Sequence, residues 1–199
     1  MKKFELTDEV KDVCGETLHR IIALKDFSNV KKGELGGWVE REENLSQFDD
    51  AWVYENSKVH GNAWVAGNAW VAGNALVYGN ALVYGNALVY GNARVSGDAG
   101  VHGNALVYGN ALVSGDTRVS GDAEVGKNDD YMVIGGAGRD NRFTTFFKCR
   151  DKTIKVICGC FVGTVNEFRA KVKETHKGNK HEKVYLTMAD MAELQIGND

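Results

Sequence analysis

A valine every sixth residue, a small residue two places before it, and Gly-Asn or Gly-Asp at the corners between them predict a mainly β chain built around a parallel β-helix. The valine column runs from Val53 through Val59 and Val65 to Val125 without a gap. The small column begins Ala51, Ser57, Ala63 and ends at Ala123, with Thr117 its other departure from alanine. Both columns therefore point inward. Glycine and asparagine accept left-handed backbone geometry at little cost, so pairs such as Gly61-Asn62, Gly97-Asp98 and Gly121-Asp122 turn the chain. An α-helix does not tolerate Gly-Asn every six residues, and the stretches between corners are too short for a flat meander.

Taken in order, residues 1–50 read as a β-rich N-terminal cap, 51–128 as the hexapeptide-repeat β-helix and 129–199 as a small α+β domain. The first segment has 8 basic and 12 acidic residues and two strand-like runs, 3–6 and 18–24. Val39 and Leu45, six apart, read as degenerate hexads, after which the register shifts by two before Val53. In the array itself the sequence resembles the hexapeptide-repeat proteins. That resemblance implies a left-handed parallel β-helix with three hexads per coil, hence slightly more than four coils and a prism roughly 20 Å tall at ~4.8 Å per coil.

If every third hexad shares a face, the outward residues sort unevenly. One face carries Trp52, Trp70, Leu88 and Leu106 beside Tyr54, Ala72, Tyr90 and Tyr108. An apolar strip of that size is expected to be covered, and Trp52, Tyr54, Trp70, Leu88, Tyr90, Leu106 and Tyr108 are the candidate interface of a homo-oligomer. The other two faces are mixed, with Lys58, Arg94 and His60 on one and Trp64, Gly100, His102 and Arg118 on the other.

Beyond the array, 131–134 reads as a strand, 142–149 and 153–161 as a hairpin, and 164–176 as a helix with Thr164 and Glu167 as a capping box. From Lys127 to Lys183 there are 13 basic and 7 acidic residues, so this unit is locally basic. Its Gly-rich turn frees backbone amides, and its arginines can fork to a phosphate, making Gly136, Gly138, Arg139, Asn141, Arg142 and Thr144 the candidate ligand-binding set. The spacing is neither a Walker loop nor a dinucleotide fingerprint. Cys158 and Cys160 are placed on one face of a strand, too few for zinc, and read as small buried residues.

Composition sets the outer limits. A 43% hydrophobic chain of 199 residues can bury a core, and a net charge of −3 gives no overall basic field. No apolar run approaches the ~20 residues of a membrane span, and the N-terminus has no signal-peptide h-region. A cytoplasmic location with four reduced cysteines is expected, with no membrane or nucleic-acid partner.

Taken whole, the chain is similar to a family of uncharacterised proteins common in bacteriophages and prophages. The similarity rests on Leu18-His19-Arg20-Ile21, Gly36-Gly37-Trp38-Val39-Glu40, Asn44-Leu45-Ser46, the GNAxV array, Gly138-Arg139-Asp140-Asn141, and Gly159-Cys160-Phe161-Val162-Gly163-Thr164 with Glu167-Phe168. It implies the architecture and a bacterial host cell, and brings no activity. The function expected is non-catalytic: an oligomerising β-helix displaying a basic domain that captures a nucleotide-like anion or a host defence component, with no catalytic residue, metal or cofactor. The alternatives are an enzyme acting on a small anion at the Gly/Arg turn and an acyltransferase-like hexapeptide protein. The array has no inserted loop for acyl transfer, and its two histidines, His60 and His102, fall on different faces with no third in the array to complete a metal site.

Overall fold

The computed structural model describes residues 2–137 and 142–197. β1 (Phe4–Val13) and β2 (Glu16–Ala23) form an antiparallel hairpin, joined by β3 (Leu35–Val39). β4 to β16 are two-residue strands from Trp52–Val53 to Glu124–Val125, each made of one outward residue and its valine. Every third strand pairs in parallel: Trp52 opposes Trp70, Lys58 opposes Leu76, and Trp64 opposes Leu82. Three sheets wall the prism, in the orders β16-β13-β10-β7-β4, β1-β2-β3-β5-β8-β11-β14 and β15-β12-β9-β6. They are called the aromatic, second and third faces below, and their outward residues are those grouped by the eighteen-residue period.

The degenerate hexads add a coil. β3 pairs in parallel with β5, placing Val39 over Val59, and Leu45 bridges Val65. Val39, Leu45 and Val53 are thus the inward residues of a first coil, which brings the total to five. The two surplus residues before Val53 are absorbed by a short irregular loop at 46–50, with Asp49 at φ 53°.

Inside, the valines and small residues are buried to within a per cent or so of complete exclusion from solvent. Each fully buried valine is worth roughly 1.5–3 kcal/mol. Corners need glycine for two reasons, as Gly103 shows: its φ is +72°, and a Cβ there would lie 2.8 Å from the backbone nitrogen of Gly121 in the next coil. The asparagines beside the glycines form ladders in which each Nδ2 donates to the Oδ1 eighteen residues on. Asn68 donates to Asn86 at 3.1 Å, Asn86 to Asn104 at 3.0 Å and Asn104 to Asp122 at 3.4 Å.

The C-terminal unit is an antiparallel sheet, β17 (Tyr131–Ala137), β18 (Arg142–Lys148), β19 (Ile154–Cys158) and β20 (Phe161–Thr164), with α1 (Val165–His176) and α2 (Lys180–Ile196) on one side. Alternation along β18 and β19 divides the core. Phe147, Cys149 and Ile157 join the interior of the β-helix, whereas Phe146 and Val156 pack with Phe168, Tyr185 and Met188 under the helices. The sheet is therefore a lid on the last coil, held by the Ala123–Cys149 bridge, Arg150 N–H to Asp122 O at 3.1 Å and Tyr131 Oη–H to Leu112 O at 2.5 Å.

Thr164 caps α1, and Glu167 completes the capping box. α2 is not among the elements expected from sequence, although Asn179 caps it and Tyr185, Met188, Ala189, Ala192 and Ile196 recur at helical spacing. Cys160 departs from its expected place and is exposed rather than buried. Cys158 ends β19, while Gly159 at φ +61° and Cys160 form the tight turn to β20, so the two cysteines do not share a strand face.

Candidate functional site

A cleft of about 260 Å³ opens where the upper coils meet the lid. Its walls are Asp98 and Asp116 at one corner of the prism, Arg118 on the third face, Phe143, Thr145 and Ile157 of the lid sheet, and Gly159 of the β19–β20 turn. The repeat itself positions the corner carboxylates. Asn62 donates to Asn80 at 3.1 Å and Asn80 to Asp98 at 2.8 Å, after which Asp98 and Asp116 stand one coil apart with no N–H to place between them. Arg118 is fixed at its backbone, whose N–H donates to Thr145 Oγ1 at 3.3 Å and ties the last coil to β18.

Below Arg118 the third face is bare at Gly100, where an added Cβ would meet nothing within 4 Å. His102 flanks that gap, its ring stacked on Tyr84 at 4.8 Å. Burial, and then the Arg118 charge, hold its pKa below the ordinary histidine value, so the imidazole is neutral at pH 7. The cleft thus brings together an acidic pair, one guanidinium and an aromatic ring, with a neutral imidazole one coil beneath.

The sequence-predicted residues fare unevenly. Gly138, Arg139 and Asn141 lie outside the described residues, and Arg142 is placed only as the first residue of β18. Gly136 has φ +73° with open space around its Cα. Thr144 is a correction: it is fully buried, and its hydroxyl donates to Cys158 Sγ at 3.2 Å, so it faces no ligand. Sequence alone places Asp98 at a corner and Arg118 on a mixed face, but assigns none of the seven cleft residues to one site. Their signal was the change from Gly-Asn to Gly-Asp at Asp98 and again eighteen residues on at Asp116.

The aromatic face also needs correcting at one end. Trp52 is fully buried beneath Phe4 and Phe27, with ring centroids at 6.2 and 5.3 Å, and Tyr54 donates to Asn29 at 2.9 Å. The N-terminal cap covers that end of the strip, so Trp52 is not an intermolecular contact. Above it Trp70, Leu88 and Leu106 remain half-buried, Tyr90 is 40% exposed, and Tyr108 stacks on Tyr90 at 5.4 Å while donating to Glu124. Among the described residues no helix is long and apolar enough to cross a membrane.

Two likenesses to known proteins bear on this geometry. A repeat family described as the YdcK β-solenoid repeat matches residues 75–90, 87–103 and 105–121. The chain is also 32% identical over 65 residues to a protein of Escherichia coli (strain K12) named "Uncharacterized acetyltransferase YdcK", a stretch covering 29% of this chain and 20% of that protein. The match spans about a fifth of the relative's length. What both likenesses carry is the β-solenoid repeat, and neither concerns bacteriophage proteins.

Proposed function

We propose that this is a non-catalytic binding protein of the cytoplasm, in which a rigid β-helix oligomerises through its aromatic face and holds a nucleotide-like anion in the cleft beneath the lid. The observation carrying this reading is that Arg118, Phe143 and the Asp98–Asp116 pair line one cleft. Arg118 suits a phosphate, the Phe143 ring offers a surface on which a base stacks, and carboxylates accept from amino groups on a base edge. A ligand that is only an anion would be repelled by the acidic pair. The fit is therefore to a nucleotide whose base bears an amino group, and such a role matches capture of a signalling nucleotide or a defence component in a bacterial host.

Isothermal titration with a mononucleotide panel tests this. Amino-bearing nucleotides are expected to bind and be recovered unaltered after denaturation, UMP is expected to bind more weakly, and Arg118→Ala is expected to abolish binding. Nucleotide binding that survives Arg118→Ala would place the site elsewhere. Light scattering tests the scaffold, since a strict monomer contradicts the aromatic interface.

A second reading is acyl transfer. It is favoured by the printed name of the E. coli relative and by the neutral His102 imidazole, a candidate base beside the Gly100 gap. Acetyl-CoA turnover with an amine panel, lost in His102→Ala, would establish it in place of capture.

A further inference from the structure

The helices over the lid occupy their negative charges and leave positive ones free. Glu167 accepts from the Thr164 N–H and hydroxyl, Glu174 pairs with Lys171 at 2.9 Å, Asp190 and Glu193 both hold Arg169, and Glu182 accepts the Gly178 N–H. Lys173, Lys177, Lys180 and Lys183 are exposed, and among the described residues none has a carboxylate within ion-pair distance.

Topology gathers these four. Lys173 and Lys177 sit four apart at the end of α1, Lys180 and Lys183 three apart at the start of α2, and the chain reverses between them at Lys177 and Gly178, with φ 36° and 82°. One tip of the molecule thus carries five lysines against two glutamates within 171–183. The amides opening α2 add nothing, because the Asn179 side chain already accepts from the N–H groups of His181 and Glu182. The attraction resides in the ammonium groups.

We propose that this helix-hairpin tip binds the phosphate backbone of duplex nucleic acid without reading sequence. The net charge of −3 for the whole chain predicts no such partner, but charge acts locally within a Debye length, and the tip belongs to the unit whose sheet closes the last coil. Lysines are flexible point charges suited to an array of phosphates. No arginine lies in 171–183 and the Asn179 Oδ1 is occupied as a cap, so the tip offers flexible point charges and no rigid bidentate fork for a base edge. A lipid surface fits less well, because Val172 is the sole bulky apolar residue of 171–183 and it is buried.

Fluorescence anisotropy of the full chain with a short labelled duplex decides the matter. Binding is expected near 50 mM salt and weakens roughly a hundredfold by 200 mM, since four phosphate contacts give a log–log slope of about −3.6. Replacing the four lysines by alanine is expected to abolish binding without moving the unfolding midpoint, and replacing them by arginine is expected to retain it. Equal binding by the alanine variant, no binding at low salt, or capture of phosphatidylserine vesicles but not of duplex would each overturn the proposal.

Discussion

The two ends of the β-helix face the same problem, an open coil with unpaired backbone and an exposed apolar lumen, and they solve it differently. At the N-terminal end the cap continues a wall: β1, β2 and β3 extend the second face edge to edge, and the closing residues drop across the opening. Lys3 is fully buried there, its ammonium donating to the carbonyls of Ala51, Phe48 and Asp49 at 2.7, 3.2 and 3.4 Å. At the C-terminal end a separate sheet is laid over the coil, with helices behind it. Continuing a sheet preserves its register and leaves little space, whereas laying one sheet across another leaves a seam, and the cleft lies in that seam.

The sharpest way to break this contrast is to empty each closure. Trp52→Ala and Phe147→Ala should each cost about 3–5 kcal/mol in urea unfolding, since both side chains are fully buried. A loss confined to one end would show that only that closure belongs to the common core. Lys3 provides the next test. Burial lowers its pKa from 10.5 to about 8, against the raising effect of Asp50 and Asp49 and with a smaller lowering from Lys25. Between pH 8 and 10.5 the unfolded chain holds a proton that the folded chain has released, so stability rises with pH, by up to ~3 kcal/mol. Relative to Lys3→Met, the wild type should therefore gain over that window, and a falling difference would refute the buried ammonium.

Smaller effects probe the walls between the ends. Gly103→Ala should cost about 2 kcal/mol, combining positive φ with the 2.8 Å approach to Gly121, whereas Gly115→Ala, with nothing within 4 Å, should cost less. Asn86→Ala removes two exposed ladder bonds and should lower stability by about 1 kcal/mol. Equal costs at Gly103 and Gly115 would mean that dihedral strain alone governs the corners.

What the sequence disclosed followed from its period. Valines every six residues settled the interior, and an eighteen-residue repeat sorted the outward residues into the three faces that the strand pairing shows. Val39 and Leu45 were recognisable for the same reason. The cleft was hidden because it belongs to no period: Phe143 and Gly159 reach Asp98 and Asp116 only through the docking of β18 and β19, a long-range event with no local signature. Trp52 was misassigned because the face was read as uniform, while Phe4 and Phe27 reach it from a segment outside the repeat. Thr144 was legible as part of a strand, but not which side of that strand it lies on: it sits in β18 on a buried side, away from any ligand.

The amide ladders give the shaft a polarity and a unit of length. Each rung recurs after eighteen residues with donor and acceptor in the same sense, so one whole coil can be spliced in or out of the middle without changing which way either end faces. Such an edit moves the lid along the axis by ~4.8 Å, while an edit of a single hexad also swings it by one face. The molecule is in that sense a ruler with a built-in compass, graduated in valines and corner amides.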